Sequence, residues 1–179
     1  ARLEEGEAAG LFRIAEIYDG ENWNDARRSP LTEQGVDVNE GDYLISINGE
    51  KINAGENPYN YLENLADELI ELTVSENADG SEARTSMVKP IKSEQQIKYL
   101  TWVNERRKMV EKLSNGRIGY IHVPNTSFEG NRELFRGMYA YHDKEALIID
   151  DRYNGGGFIP DVMADLLDRK TLSYWKRGG

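Results

Sequence analysis

The chain has 179 residues, of which 39% are apolar and 30% are charged, and it carries a net charge of −10 with no cysteine. This composition suffices for a hydrophobic core, and no apolar run approaches the roughly 20 residues of a membrane-spanning helix, so we expect a soluble globular chain. The negative charge disfavours nucleic acid and anionic membranes as partners, and the lack of cysteine excludes disulfides, thiolate metal sites and a cysteine nucleophile.

Four strands are predicted in the first half of the chain, where apolar and polar residues alternate. They cover residues 11–18, 42–48, 69–75 and 84–89. Asn48-Gly49, directly after the second strand, is the strongest hairpin signal in the sequence. Residues 2–9 are mostly charged or small, and no strand is assigned to them.

Two short helices are predicted between these strands. The first begins at Pro30 and ends at Gly35, because proline suits the first helical position and glycine the end. The second begins after Asn57, with Tyr59, Leu62 and Leu65 on one face. Together with the four strands, these helices predict a small half-open β-sandwich.

Helices and strands alternate from Ser93 onward. The sequence predicts a helix of about 20 residues from Ser93, a strand at 116–124 and a helix at 131–141, with Leu134, Phe135 and Met138 facing inward. A further strand follows at 146–149, and a helix begins at Pro160. This order is typical of a parallel sheet, and the uninterrupted apolar run of the last strand predicts that both its faces are covered.

Three adjacent glycines follow that strand, in Asp150-Asp-Arg-Tyr-Asn-Gly-Gly-Gly-Phe158. Glycines permit positive φ and leave backbone N–H groups uncovered, so a developing oxyanion or a phosphate can approach them. A steric turn is the simpler interpretation of an isolated triplet, and Asp150 and Asp151 disfavour phosphate. The two aspartates have no third ligand at metal-binding spacing. We therefore expect hydrogen bonds to the loop and an Asp–Arg152 ion pair there, and no metal site.

The first half resembles bacterial PDZ domains over roughly residues 5 to 92. The resemblance is carried by Ser29-Pro30, Gly35-Val36 and Glu40-Gly-Asp-Tyr-Leu-Ile-Ser-Ile-Asn-Gly49. It implies that Gly10, Leu11 and Phe12 lie in the loop whose N–H groups hold a peptide carboxylate, and that the following strand, with Ile14, pairs with the peptide through an exposed edge. The open alternative is a loop that serves only to start the strand.

The second half resembles tricorn-type and C-terminal-processing serine peptidases, whose catalytic domain has a crotonase-like α/β core. Gly116-Arg-Ile-Gly-Tyr-Ile-His-Val-Pro124 and the Asp150–Phe158 segment carry this resemblance. It implies an α+β chain with a PDZ domain at 1–92, a linking helix at 93–115 and an incomplete catalytic domain at 116–179. By the same resemblance, Gly157 donates its N–H to an oxyanion hole.

The resemblance implies a parent serine endopeptidase that cleaves peptides or unfolded polypeptides, without a cofactor, in the cytoplasm and as a homo-oligomer. Secretion or a periplasmic location stays open. We expect this chain to be a fragment that is inactive alone, because no serine lies in a nucleophile turn and the base would also lie outside it. His122 and His142 are interpreted as structural.

Two further interpretations concern the substrate specificity of the parent enzyme and an alternative, non-enzymatic function. Trp175 stands where the family carries an acidic residue that selects basic P1 residues, so an apolar or bulky P1 residue is the hypothesis for the parent enzyme. The alternative function is a non-catalytic PDZ module that binds peptides.

Overall fold

The computed structural model describes residues 1–6 and 10–169. The chain divides into two compact units, the first unit Ala1–Trp102 and the second unit Val103–Gly179. Their boundary falls inside helix α1, which runs from Gln95 to Ser114 and confirms the predicted helix of 20 residues. Within the described ranges, no helix is long and apolar enough to cross a membrane.

The first unit contains one antiparallel sheet of six strands. They are β1 (Arg2–Glu5), β2 (Phe12–Glu16), β3 (Tyr43–Ile47), β4 (Glu50–Lys51), β5 (Ile70–Ser75) and β6 (Arg84–Val88). Their order is β1-β2-β3-β5-β6, and β4 pairs with β3. All four predicted strands are present. The predicted sandwich is wrong in that the described strands form one continuous sheet, whose core side carries Ile14, Leu44, Ile47, Leu72 and Val74.

Strand β1 is the longest of three elements of the first unit that the sequence did not predict, the others being β4 and a 3₁₀ helix at Asp25–Arg27. It pairs with β2 along its length, from Arg2 opposite Glu16 to Glu5 opposite Phe12. Its single apolar residue, Leu3, is flanked by charged residues, so its sequence shows no run of alternating apolar and polar positions. Main-chain hydrogen bonds to β2, rather than burial of its side chains, therefore hold this segment as a strand.

The turns of the first unit follow the sequence more closely than its helices do. Asn48 and Gly49 have φ of 51° and 77°, as a type I′ turn between β3 and β4 requires. The two predicted helices are each a short 3₁₀ helix, at Pro30–Thr32 and Pro58–Leu62. The first stops because Glu33 is extended, and the second because Glu63 is extended and Asn64 adopts a positive φ.

A buried ion pair holds the turn before β3. Asp42 is 1% exposed, accepts a hydrogen bond of 2.6 Å from the Asn39 N–H and binds the Arg84 guanidinium. Arg84 also donates to the Asp37 carbonyl oxygen at 3.0 Å. The Gly41-Asp42 motif thus ties the start of β3 to β6.

The second unit pairs two parallel strands, β7 (Ile118–His122) and β8 (Ala146–Asp150), with two helices, α2 (Phe128–Ala140) and α3 (Pro160–Leu167). The element order agrees with the predicted alternation of strands and helices. The unit's small core contains Ile121, Val123, Leu134 and Met163.

Helix α2 lies very close to β7 because glycines face the contact. A Cβ added at Gly137 would lie 2.5 Å from Ile121, and one added at Gly119 would lie 2.5 Å from Tyr141. At the start of the helix, a Cβ on Gly130 would overlap the carbonyl oxygen of Asn125. The absence of side chains at these glycines therefore sets the distance between helix and strand.

Two burial expectations for the second unit are wrong. Ile148 and Ile149 of β8 are 42% and 38% exposed, because among the described strands β8 pairs only with β7, and α2 packs on β7. Phe135 of α2 is also exposed, although Leu134 is buried and Met138 packs on the core. The apolar run of β8 therefore lacks the two-sided cover that its composition predicts.

Candidate functional site

Asp150 lies at the C-terminal end of β8, where the glycine loop begins. Its side chain accepts a hydrogen bond of 2.7 Å from the Tyr120 hydroxyl on β7. The Arg152 backbone N–H donates to Oδ1 at 3.0 Å, and Arg152 Nε donates to both carboxylate oxygens at 2.9 and 3.1 Å. The predicted Asp–Arg152 pair is therefore confirmed, with Asp150 8% exposed.

This network shifts the pKa values of its members. Hydrogen bonds from Arg152 hold the pKa of the Asp150 carboxyl well below its usual range, against the opposing effect of burial. Burial and the hydrogen bond to Asp150 raise the pKa of the Tyr120 hydroxyl. Asp150 is therefore ionised and Tyr120 neutral throughout the physiological range.

The chain after Asp150 is held by hydrogen bonds to the residues that follow β7. The Arg152 carbonyl oxygen lies 2.7 Å from Nε2 of His122, which is buried. Asn154 donates from Nδ2 to the Val123 carbonyl oxygen at 3.0 Å and accepts the Gly156 N–H at 2.7 Å. His122 therefore acts as a structural donor to this loop, as its sequence context predicts.

Backbone pairs fix the glycines themselves. The Gly155 N–H donates to the Pro124 carbonyl oxygen at 2.9 Å, and the Thr126 N–H donates to the Gly156 carbonyl oxygen at 2.9 Å. Among the residues that the structure describes, the N–H groups of Gly157 and Phe158 have no acceptor. The loop therefore ends in two backbone donors that are free to bind a ligand atom.

Gly157 occupies a position that admits only glycine. Its φ of +153° is rarely adopted by residues with a side chain. A Cβ would also overlap the Thr126 carbonyl carbon and lie 2.5 Å from Ser127 Oγ. Gly155 differs, because a Cβ there would meet only the Pro124 carbonyl oxygen at an ordinary 3.8 Å. Of these two glycines, only Gly157 is required by the close approach of backbone.

The structure changes the interpretation of the predicted peptide-binding residues. Gly10 has a positive φ of 62° and is exposed, whereas Phe12 and Ile14 are core residues of the first unit. The expected exposed edge at their strand is wrong, because β1 and β3 pair with β2 on its two sides. Carboxylate binding by the N–H groups around Gly10 stays a prediction, and Trp175 lies outside the described residues.

An apolar cavity of about 620 Å³ opens within the first unit beside β1. Leu3 of β1 and Ile14 of β2 line one side, and Tyr59 and Leu62 of the second 3₁₀ helix line another. Sequence reasoning missed this cavity because it missed β1. Among the described residues, no group of three or more His, Asp or Glu side chains is placed to hold a metal ion.

Comparisons with known proteins agree with both units. A family model described as the tricorn protease PDZ domain matches residues 3–93. The chain is 34% identical over 174 residues to the tricorn protease homolog of Saccharolobus solfataricus, covering 97% of this chain and 16% of that protein. It is 33% identical over 164 residues to the tricorn protease of Thermoplasma acidophilum, covering 91% of this chain and 15% of that protein. The crystal structure of the tricorn protease matches with a TM-score of 0.78 at 30% identity, over 96% of this chain and 17% of that one.

The antiparallel sheet with its Gly41-Asp42 turn, together with these matches, defines a protease-associated PDZ domain. The chain belongs to the tricorn protease family. It spans between 14% and 18% of the length of the curated relatives that it matches.

Proposed function

We propose that this chain is the PDZ domain and the first part of a crotonase-like catalytic domain of a serine endopeptidase. The longer enzyme would cleave peptides or unfolded polypeptides by transfer of the substrate acyl group to a serine outside these 179 residues and from that serine to water. Gly157 would donate its N–H to the oxyanion of the tetrahedral intermediate. The free N–H at a position that admits only glycine is the observation that carries this proposal.

The chemistry assigned to Gly157 is electrostatic. When the serine oxygen attacks the scissile carbonyl, the carbonyl oxygen gains negative charge, and a fixed N–H stabilises it without reorganisation. Removing one such donor lowers kcat by about 10²- to 10³-fold in serine proteases. The serine and its base would come from elsewhere in the polypeptide, so this chain alone is expected to be inactive.

The test uses the full-length polypeptide that carries these residues and a fluorophosphonate that labels activated serines. Labelling of one serine outside residues 1–179, seen by mass spectrometry, supports the proposal. Gly157→Ala should then lower the peptidase kcat by about 10²-fold or more, because the added Cβ displaces the donor. Gly155→Ala is the matched control and should retain activity. A folded wild-type enzyme that takes up no label would contradict the proposal.

A second candidate function is peptide binding by the PDZ domain. The free edge of β1 and the cavity beside it support this function. Among the described strands, β1 pairs only with β2, so its outer edge can accept an extended peptide. An apolar peptide side chain would enter the cavity past Leu3. This function holds whether or not the longer protein is catalytic.

Titration of fluorescent peptides onto the 179-residue chain tests this candidate. Leu3→Glu places a charge in the cavity and should weaken binding about tenfold or more if β1 is the site. Leu11→Glu is the matched change beside Gly10 and should have little effect. If Leu11→Glu weakens binding and Leu3→Glu does not, the binding site is the Gly10 loop. If none of the apolar peptides binds the chain, this candidate function is excluded.

A further inference from the structure

The buried carboxylate of Asp150 has no role in the acyl-transfer chemistry proposed above, yet it accepts five hydrogen bonds from four donor groups. Tyr120 binds one oxygen from β7, and Arg152 binds both oxygens through its side chain and one through its backbone. A buried carboxylate needs hydrogen-bond partners, and those of Asp150 come from β7 and from the loop that Asp150 precedes. The Arg152 side chain is itself 61% exposed, and its paired hydrogen bonds to Asp150 orient the guanidinium.

The network leads directly to the free donor. Asp150 fixes the backbone N–H and the side chain of Arg152, and His122 fixes the carbonyl oxygen of the same residue. Tyr153 follows with a φ of 62°, an unusual value for a residue other than glycine. Side chains on β7 and β8 therefore determine the path of the chain as far as Tyr153, and this path places Asn154 and the glycines where they form their own hydrogen bonds.

We propose that Asp150 is a positioning residue, which acts through Tyr120 and Arg152 to hold the Gly157 N–H in the orientation that an oxyanion requires. This inference rests on the function proposed above. Asp150 touches no substrate atom and transfers no proton. Its effect is on geometry, and a displacement of about 1 Å at a reacting group costs about 10²-fold in rate.

The first test measures kinetics in the full-length enzyme. Asp150→Asn keeps the shape of the side chain but removes the charge that binds Arg152. We expect kcat to fall about 10- to 100-fold while KM changes less than about threefold. Affinity for a peptidyl aldehyde, which forms a tetrahedral adduct, should fall with kcat, whereas affinity for the cleaved peptide product should not. Tyr120→Phe removes one donor and should give a smaller loss of the same kind.

Matched controls separate positioning from stability. Arg117→Lys alters an exposed ion pair with Glu145 in the same unit and should change none of these quantities. Arg152→Lys keeps the charge but loses the paired donors, and it should restore only part of the activity lost in Arg152→Ala. Equal losses of substrate, product and aldehyde affinity in the Asp150 and Tyr120 variants would show a merely structural role and overturn the inference.

A second measurement needs no catalysis. In ¹⁵N-labelled chain of 179 residues, the Gly157 amide resonance should shift in Asp150→Asn and Tyr120→Phe and stay unchanged in Arg117→Lys. An unchanged Gly157 resonance, or an unchanged kcat in a fluorophosphonate-reactive enzyme, overturns the positioning role alone. A wild-type enzyme that does not react with fluorophosphonate overturns the proposed function, and this inference with it.

Discussion

Each unit of the chain buries an aspartate that binds an arginine, but the two pairs do different work. Asp42 and Arg84 in the first unit are 42 residues apart and join β6 to the turn before β3. Asp150 and Arg152 in the second unit are two residues apart and shape a single loop. An ion pair between distant segments stabilises the tertiary fold, whereas an ion pair between neighbouring residues determines the local path of the backbone.

The largest expected effect is loss of the long-range pair. Asp42→Asn removes the buried carboxylate and leaves Arg84 with only the exposed carboxylates of Asp37 and Glu76, and we expect a loss of about 2–3 kcal/mol of stability. We expect amides of β3, β5 and β6 to lose protection in hydrogen exchange measured by mass spectrometry, while amides of β7 and β8 keep theirs.

Asp37→Asn is the control for this change, because Asp37 binds Arg84 from an exposed position and its charge should contribute less than about 1 kcal/mol. Loss of amide protection in both units after Asp42→Asn would contradict this assignment, since the Asp42–Arg84 pair would then not stabilise the first unit alone.

The next effect concerns the close contact of α2 in the second unit. Gly130→Ala places a methyl group on the Asn125 carbonyl oxygen, and we expect a loss of about 1–3 kcal/mol despite the better helix propensity of alanine. Gly137→Ala meets only the Ile121 side chain, which can move, and should cost less. Urea unfolding followed by hydrogen exchange in β7 and β8 measures both, and equal costs would contradict the geometry.

A smaller effect is expected on the open face of β8, which carries Ile148, since Ile149 lies beside the core residue Ile121. Ile148→Ala should cost this chain less than about 1 kcal/mol, because the side chain is 42% exposed, whereas Val74→Ala in the core of the first unit should cost more. The same Ile148→Ala change in the full-length polypeptide should cost about 2 kcal/mol or more if further chain covers this face. Equal unfolding midpoints for Ile148→Ala and wild type in both forms would show that the face stays open.

The smallest effect is the response of the glycine loop to pH. The folded-state pKa of Asp150 is lowered, so its contribution to stability is complete above the unfolded value of about 3.9 and is lost only as the pH falls through the lower folded value. The Gly157 amide shift should therefore show no transition near about pH 3.9, where an ordinary aspartate titrates. A titration of that resonance with a midpoint near about pH 3.9 would contradict the lowered pKa of Asp150.

Local signals in the sequence predicted most strands and turns, and they failed where pairing between strands decides the structure. Asn48-Gly49 specifies its hairpin because only a few residue types accept positive φ at both positions. Strand β1 was not predictable, since Leu3 is its only apolar residue and its partner β2 supplies the order. The free edge was therefore assigned to the wrong strand.

The candidate site was predictable in part. The glycine triplet and Arg152 follow directly from the motif, whereas the donors from Tyr120 and His122 come from a neighbouring strand and depend on register. The apolar run of β8 correctly indicated a parallel strand. It did not indicate that Ile148 and Ile149 are exposed, because burial depends on the elements packed around a strand and not on its own residues.

The contact between α2 and β7 carries a consequence for how this unit can change during evolution. A Cβ added at Gly137 would lie 2.5 Å from Cγ1 and 2.6 Å from Cδ1 of Ile121, so a larger residue at Gly137 requires the Ile121 side chain to move. Substitutions at the two positions are therefore expected to be coupled, since neighbours in contact do not contribute additively. Ile121→Val removes Cδ1, so it should be mildly harmful alone and less harmful, or beneficial, beside Gly137→Ala.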